Sequence, residues 1–266
     1  MKKLSKNKID KISRCYEGLG AQTYIRNADI SYFLCPFWRN SVMTPIFINQ
    51  TQFDSKLLVM IENYFKRNIF KDPFCSNMPY LNLVQDSYFD LNKIRVQVKN
   101  GGWNYRQKNP MWVCVWEKPM PLQIPKGYSF RVGKYFDPEL YKDFHKIMRE
   151  TFMSSDIFMA NLDKLHRKIN QNVHLVIIYN SKSIAVGGGL VASGKHGSYL
   201  YCGAISKRYR RRGLWKFLVA ARQSVSMKSL DHAWVMTTRH LHLTKSSDWS
   251  RKMLTLSKIV NSESEI

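Results

Sequence analysis

Ser198-Tyr199-Leu200-Tyr201-Cys202-Gly203-Ala204-Ile205-Ser206-Lys207-Arg208-Tyr209-Arg210-Arg211-Arg212-Gly213-Leu214-Trp215-Lys216-Phe217-Leu218-Val219 decides how this chain is read. Its first eight residues form a short apolar run rich in β-favouring side chains. After Gly213, apolar residues recur at Leu214, Phe217, Leu218, Ala221 and Val225, the spacing of one helical face. The stretch therefore predicts a strand, a basic turn, a glycine and a helix. A helix entered through a glycine presents its first backbone N–H groups and the positive end of its dipole to whatever lies ahead, which suits a phosphate. Arginines beside that end add planar, bidentate donors for phosphate oxygens. Lys207–Arg212 holds five cations in six residues. Such a run can also be a solvated face, a localisation tract or a nucleic-acid patch. Its placement between an apolar strand and an apolar helix favours the phosphate reading.

Tyr209-Arg210-Arg211-Arg212-Gly213-Leu214 resembles the acyl-CoA motif of the GNAT acyltransferases, Arg/Gln-x-x-Gly-x-Gly/Ala after a strand, with Arg210 and Gly213 on the first two defined positions. The resemblance implies that Gly203, Ala204 and Ile205 pair with the pantetheine arm of acetyl-CoA. It also implies that Arg210, Arg211, Arg212, Gly213, Leu214 and Trp215 cradle the pyrophosphate. Trp215 departs from the pattern, standing where the family has Gly or Ala. It falls outside the apolar stripe of its helix and is expected to face solvent or cofactor.

The rest of the chain bounds this reading. Its 266 residues allow one large domain or two small ones, and 44% hydrophobic residues place it among globular rather than disordered chains. The net charge of +23 favours anionic partners. Residues 1–125 carry +9 of it and the remainder +14, so the excess is no mere tail. Five cysteines, Cys15, Cys35, Cys75, Cys114 and Cys202, are odd in number and form no CxxC pair. A disulfide framework or structural zinc is not expected, and a reduced cytoplasmic setting is. No apolar run reaches membrane-spanning length, and the basic start lacks the apolar core of a signal peptide.

Lys118-Pro119-Met120-Pro121-Leu122-Gln123-Ile124-Pro125 predicts a stiff, extended connector. We divide the chain there, into a helper or degenerate GNAT-like half, 1–122, and an acyltransferase domain, 123–266. In the first half, Phe53–Phe70 has a helical rhythm, while Leu81–Val84, Ile94–Val98 and Trp112–Trp116 read as strands. Trp103, Trp112 and Trp116 suit a base-stacking surface, or Trp112, Cys114 and Trp116, alternating with Val113 and Val115, mark a strand buried on both faces.

In the second half, Tyr128–Gly133, Val173–Tyr179, Ile184–Ser193 and Ala233–Thr237 read as strands. Asp137–Phe152, Ala160–Ile169 and Trp249–Ile259 read as helices, the first opened by Asp137-Pro138. That order matches the GNAT fold over about 126–260. It predicts an α+β protein, a central mixed sheet with helices on both faces, preceded by an N-terminal α/β domain. The family ends with two further strands, often announced by Gly-Phe. None is announced here, so either the sheet is shorter or strands from 1–125 complete it.

The resemblance also implies a mechanism: an amine is held beside a bound thioester, loses a proton to a base, and attacks a carbonyl polarised by strand N–H groups. The family often places a Glu on the strand before the motif. That strand here offers Tyr199, Tyr201 and Cys202 and no carboxylate. The candidate catalytic groups are therefore Tyr201 on the strand and His240 or His242 after the next one, the histidines titrating near working pH. Both histidines can equally be surface residues. Cys202 reads as a small buried hydrophobe. Trp249–Ser257 contains no Tyr to protonate a leaving thiolate. Glu150 and Asp156 flank the first inter-helix loop, where the family binds acceptor. No third ligand accompanies the histidines, so no metal is expected. Gly187-Gly188-Gly189 lacks the ending of a phosphate loop and marks a bulge or close approach in a strand.

The expected activity is acyl transfer, with acetyl most in keeping, from acyl-CoA to an amine. The alternatives are a basic nucleic-acid-binding protein and a GNAT-fold module that binds CoA without catalysis.

Overall fold

Adjacent glycines of one strand, Gly188 and Gly189, face opposite sides of a sheet, because side chains alternate along a strand. A Cβ built on Gly188 would meet Ile147 at 3.4 Å, and one on Gly189 would meet Arg222 at 3.0 Å. Ile147 and Arg222 belong to different helices, so helices cover both faces of the sheet. The computed structural model describes residues 22–26, 31–35, 41–44, 80–84, 99–100, 102, 104–105, 111–152, 156–169, 172–194, 197–226, 231–237 and 249–257.

The strands are β1 (Gln22–Arg26), β2 (Ser31–Cys35), β3 (Ser41–Thr44), β4 (Tyr80–Val84), β5 (Asn104–Tyr105), β6 (Met111–Trp116), β7 (Tyr128–Lys134), β8 (Val173–Asn180), β9 (Ala185–Ser193), β10 (Gly197–Ile205), β11 (Asp231–Thr237) and β12 (Trp249–Ser257). The helices are α1 (Pro138–Phe152), α2 (Asp156–Ile169) and α3 (Leu214–Val225), with a 3₁₀ turn at Lys207–Tyr209 before α3. The strands form one mixed sheet in the order β1-β2-β3-β4-β12-β6-β11-β10-β9-β8-β7, and β5 adds to β12. Among the described strands, β3–β4 and β10–β11 pair in parallel and the other pairs are antiparallel.

The expected order holds from β7 through β11, and α2 begins four residues earlier than its apolar rhythm suggests. One element is corrected. Trp249–Ile259, expected as a last helix, is the strand β12 over Trp249–Ser257. Its spacing at Trp249, Met253 and Leu256 suits a helix. Pairing on one side with β4, from Met253–Val84 to Ser257–Tyr80, and on the other with β6, from Trp249–Val115 to Met253–Met111, overrides that preference. This also settles how the sheet is completed. β6, which precedes the proline connector, lies between β11 and β12, with Val115 opposite Ala233 and Val113 opposite Val235. The expected helix at 53–70 and strand at 94–98 lie outside the described residues.

Beneath α3, Val176, Ile178, Val186, Ile205, Leu214, Phe217, Leu218 and Ala221 form one buried cluster. A second joins Cys114, Trp116 and Met120 to Val191, Leu200, Val219 and Ala220. That second cluster explains why α3 is buried beyond a single stripe. The connector does not hang free either: the Met120 N–H donates to Gln223 Oε1 at 2.8 Å, in a buried contact. On the other face, α1 buries Leu140, Phe144, Ile147 and Met148. Asp137 caps α1 by accepting the Leu140 N–H at Oδ1, 3.1 Å away.

Candidate active site

β10 carries Tyr201, Gly203, Ala204 and Ile205 of the expected site, and its two edges differ. Along β9 it pairs from Ser198–Ser193 to Ile205–Gly187, with a register shift between Tyr201 and Ala204. Along β11 the pairing ends at Leu200–Trp234, and the two strands part beyond it. The shift centres on Cys202, a non-glycine residue at φ 45°, a left-handed conformation kept only where its surroundings enforce it. The Ser206 N–H donates to Val186 O at 2.9 Å. By strand alternation the Ile205 N–H points away from β9, into the space that β11 vacates. Gly203, Ala204 and Ile205 thus line an opening between parted strands.

The basic turn leads from that opening to α3. Gly213 is the N-cap at φ 75°, and the Phe217 N–H reaches Gly213 O at 3.3 Å. The first turn of α3 holds no acidic residue, and a Cβ on Gly213 would meet nothing within 4 Å. The exposed N-terminus is therefore clear of side chains and electropositive. Arg211 and Arg212 are exposed, and Arg212 lies over the Tyr209 ring with Cζ 5.4 Å from its centroid. Tyr209 is tied to the β8–β9 turn by Asn180 Nδ2, 3.1 Å from its hydroxyl. Arg210 folds back, donating from Nε to Ile205 O at 3.0 Å. Leu214 is buried and anchors the helix.

Trp215 departs from expectation. Its side chain is half-buried and packs against both clusters beneath α3, including the one that contains Cys114, Trp116 and Met120. The far edge of its ring, Cη2, lies 3.1 Å from the place a Cβ on Gly203 would take. The ring is drawn inward because Gly203 leaves room for it. A large residue on the helix is matched by the absence of one on the strand.

Behind Gly203 lies a group that the sequence reading missed. Arg222 is completely buried. Its Nη1 donates to Tyr201 O at 3.3 Å and to Leu190 O at 3.5 Å, and its Nε to Leu218 O at 3.3 Å. Burial lowers its pKa to about 9, so it stays cationic at neutral pH. A signal existed: Arg222 stands four residues after Leu218, on the apolar stripe, where a charge is out of place.

On the α1–α2 face, Tyr201 is buried and its hydroxyl lies 2.7 Å from His166 Nε2. His166 is also buried, which lowers its pKa to about 3 and keeps it neutral. Tyr135 packs against His166 with the rings tilted by 50° and their centroids 3.8 Å apart, and donates to Asp163 Oδ1 at 2.8 Å. The Tyr141 hydroxyl donates to the other oxygen of Asp163. Burial and the Asp163 hydrogen bond raise both phenols above their ordinary range. Cys202 is partly rather than fully buried, and desolvation of its thiol pushes it up to about 12, which leaves almost no thiolate for a nucleophile. Glu150 accepts from Ser206 Oγ at 3.4 Å, and Asp156 is ion-paired with Arg149. His240 and His242 lie outside the described residues. Among those described, no three His, Cys, Asp or Glu side chains gather as a metal site, and no helix is long and apolar enough to cross a membrane.

The fold as a whole is found in solved structures. A GCN5-related N-acetyltransferase from Kribbella flavida superposes with a TM-score of 0.61 at 12% identity, covering 97% of each chain. A GCN5-related N-acetyltransferase from Sphaerobacter thermophilus superposes at 0.54 and 10% identity, covering 96% of this chain and 93% of that one. This chain has the GNAT fold. A tandem GNAT protein from the clavulanic acid biosynthesis pathway also aligns, at TM-score 0.54 and 9% identity, over 87% of this chain and 80% of its own. No family model and no curated protein sequence matches the chain. At such identities the likeness establishes the GNAT fold and leaves the chemistry to this chain's own residues.

Proposed function

We propose that this protein transfers an acyl group, acetyl in the simplest case, from acyl-CoA to an amine held beside it. The observation that carries the reading is the coincidence of two features: β10 parts from β11 at Leu200, and the helix that follows is capped by Gly213 with a clear, cationic N-terminus. The donor set fits a polyphosphate joined to an extended amide chain. Backbone N–H groups at Gly213–Lys216, with the Arg211 and Arg212 guanidiniums, would hold the phosphates. The parted edge of β10 at Gly203, Ala204 and Ile205 would pair with the amide arm as an added strand.

When bound, the coenzyme supplies a thioester as the activated acyl group. The chain's own contribution is placement. The Ile205 N–H faces the opening and can donate to an oxygen there. Holding donor and amine together removes most of the entropic barrier. Tyr201 on the strand is the proton-handling group within the described residues, with His240 and His242 proposed beside it. The site is built on the 123–266 half, which we propose as the transferase domain, and 1–122 as a helper that completes its sheet through β6.

Isothermal titration with CoA tests the reading. The wild-type protein should bind, and Arg212→Glu should weaken binding about ten-fold or more, the loss expected for a charge-assisted hydrogen bond of about 1.5–3 kcal/mol. Unchanged affinity in a folded variant would remove this placement. Strongly salt-dependent DNA binding that CoA does not displace would favour the nucleic-acid reading instead.

A further inference from the structure

The glycine run in β9 and the buried arginine of α3 belong to one device. Gly189 on β9 and Gly203 on β10 face each other across the strand pair: a Cβ on Gly189 would stand 3.0 Å from Gly203 Cα and 3.0 Å from Arg222 Nη1. A Cβ on Gly203 would stand 3.0 Å from Arg222 Nη1, 3.0 Å from Nη2 and 3.1 Å from the Trp215 ring. Two missing side chains therefore form a slot that the guanidinium fills, with the Trp215 ring centroid 5.9 Å from Cζ. Inside it, one nitrogen bridges Leu190 O and Tyr201 O. Leu190 and Tyr201 are register partners, the last pair before the shift that produces left-handed Cys202.

We propose that Arg222 is the positioning residue of this site. It clamps β9 to β10 where the bulge begins and so sets the course of Gly203–Ile205 along the opening. A bulge disrupts the local ladder and re-aims its strand. A cation donating to the two carbonyls on its near side offsets that disruption with charge-assisted hydrogen bonds. The clamp acts on the strand edge that would meet the amide arm and lies away from the Gly213 cradle that would meet the phosphates. This inference rests on the acyl-CoA reading and divides that site into two separable parts.

The test compares two probes by calorimetry on the full chain: CoA, and 3′-phosphoadenosine 5′-diphosphate, which keeps the pyrophosphate but has no pantetheine. In the wild type CoA should bind more tightly than the nucleotide. In Arg222→Met that advantage should fall at least ten-fold, while nucleotide affinity stays within about two-fold. Arg222→Lys, which keeps a cation in the slot, should restore most of it. Gly189→Ala, which touches the slot from β9 and lies off the proposed ligand edge, should shrink the advantage in the same direction by a smaller factor. It serves where Arg222→Met does not fold. A merely structural role would lower melting temperature and leave the ratio of the two affinities unmoved. An unchanged ratio in a folded Arg222→Met, or in Gly189→Ala where the former does not fold, overturns the clamp. Absence of CoA binding by the wild type overturns the functional reading and the clamp with it.

Discussion

The two faces of β10 are built from opposite chemistry within five residues. Toward α3 the strand offers glycine and receives a buried cation and an indole, Arg222 and Trp215. Toward α1 and α2 it offers Tyr201 and receives a neutral imidazole, with Tyr135, Tyr141 and Asp163 beyond it. The α3 face holds the strand's shape by donating to its carbonyls. On the α1–α2 face the Tyr201 hydroxyl bonds side chain to side chain, with His166. A strand that must open toward a ligand needs both: a fixed course and polar groups beside that course.

Breaking the α3 face at its largest buried apolar side chain should produce the largest effect. Trp116 comes from the first half of the chain, is 1% exposed, and packs under α3 with Val219 and Ala220. Trp116→Ala should cost about 3–5 kcal/mol by denaturant titration. It should also lower the stability of β10 and α3 as strongly as that of β6, seen as faster amide exchange in all three. Loss confined to β6 would mean that the halves are energetically separate.

The α1–α2 face is distinguished by its response to pH. His166 titrates at about 3 in the fold against 6.5 in the unfolded chain. Above pH 6.5 neither state binds the proton and no penalty exists. As pH falls from 6.5 toward 3, the unfolded chain takes up the proton and the folded one does not. Stability should therefore fall by up to about 1.4 kcal/mol per pH unit in that window. His145 and His174, also lowered by burial, add the same sign. His166→Gln should flatten the acid limb without abolishing it, and an unchanged limb would show that His166 is not held neutral.

Smaller effects sharpen the contrast further along α1. Asp137→Ala removes the cap and should cost about 1 kcal/mol, read as a lower melting temperature. Arg131 and Glu139 also bond across that start, at 2.8 Å. Both side chains are more than half exposed, at 54% and 73%, so Glu139→Gln should leave the melting temperature unchanged.

The local parts of this architecture were legible in the chain. Leu214, Phe217, Leu218 and Ala221 announce α3 because a helix writes its burial at short range. Gly213 announces its start because a left-handed cap favours glycine. β12 was not legible, since Trp249, Met253 and Leu256 satisfy a helical spacing while the partners that make it a strand, β4 and β6, stand well over a hundred residues away. Trp215 was expected to face outward because its helix alone supplies no partner for it. The partners are Gly203 on the strand and the cluster around Trp116. Arg222 and His166 escaped for the same reason. A buried arginine is intelligible only with Gly189 and Gly203 in view, and His166 only with Tyr201.

We propose that the opening beside Gly203–Ile205 and the cradle at Gly213 form one acyl-CoA site. Amide hydrogen exchange of the full chain, with and without saturating desulfo-CoA, tests it most directly. Slowed exchange is expected at Gly203–Ile205 and across Arg210–Lys216 together, with β1–β4 unchanged. Binding that protects neither segment, or no binding at all, would contradict it.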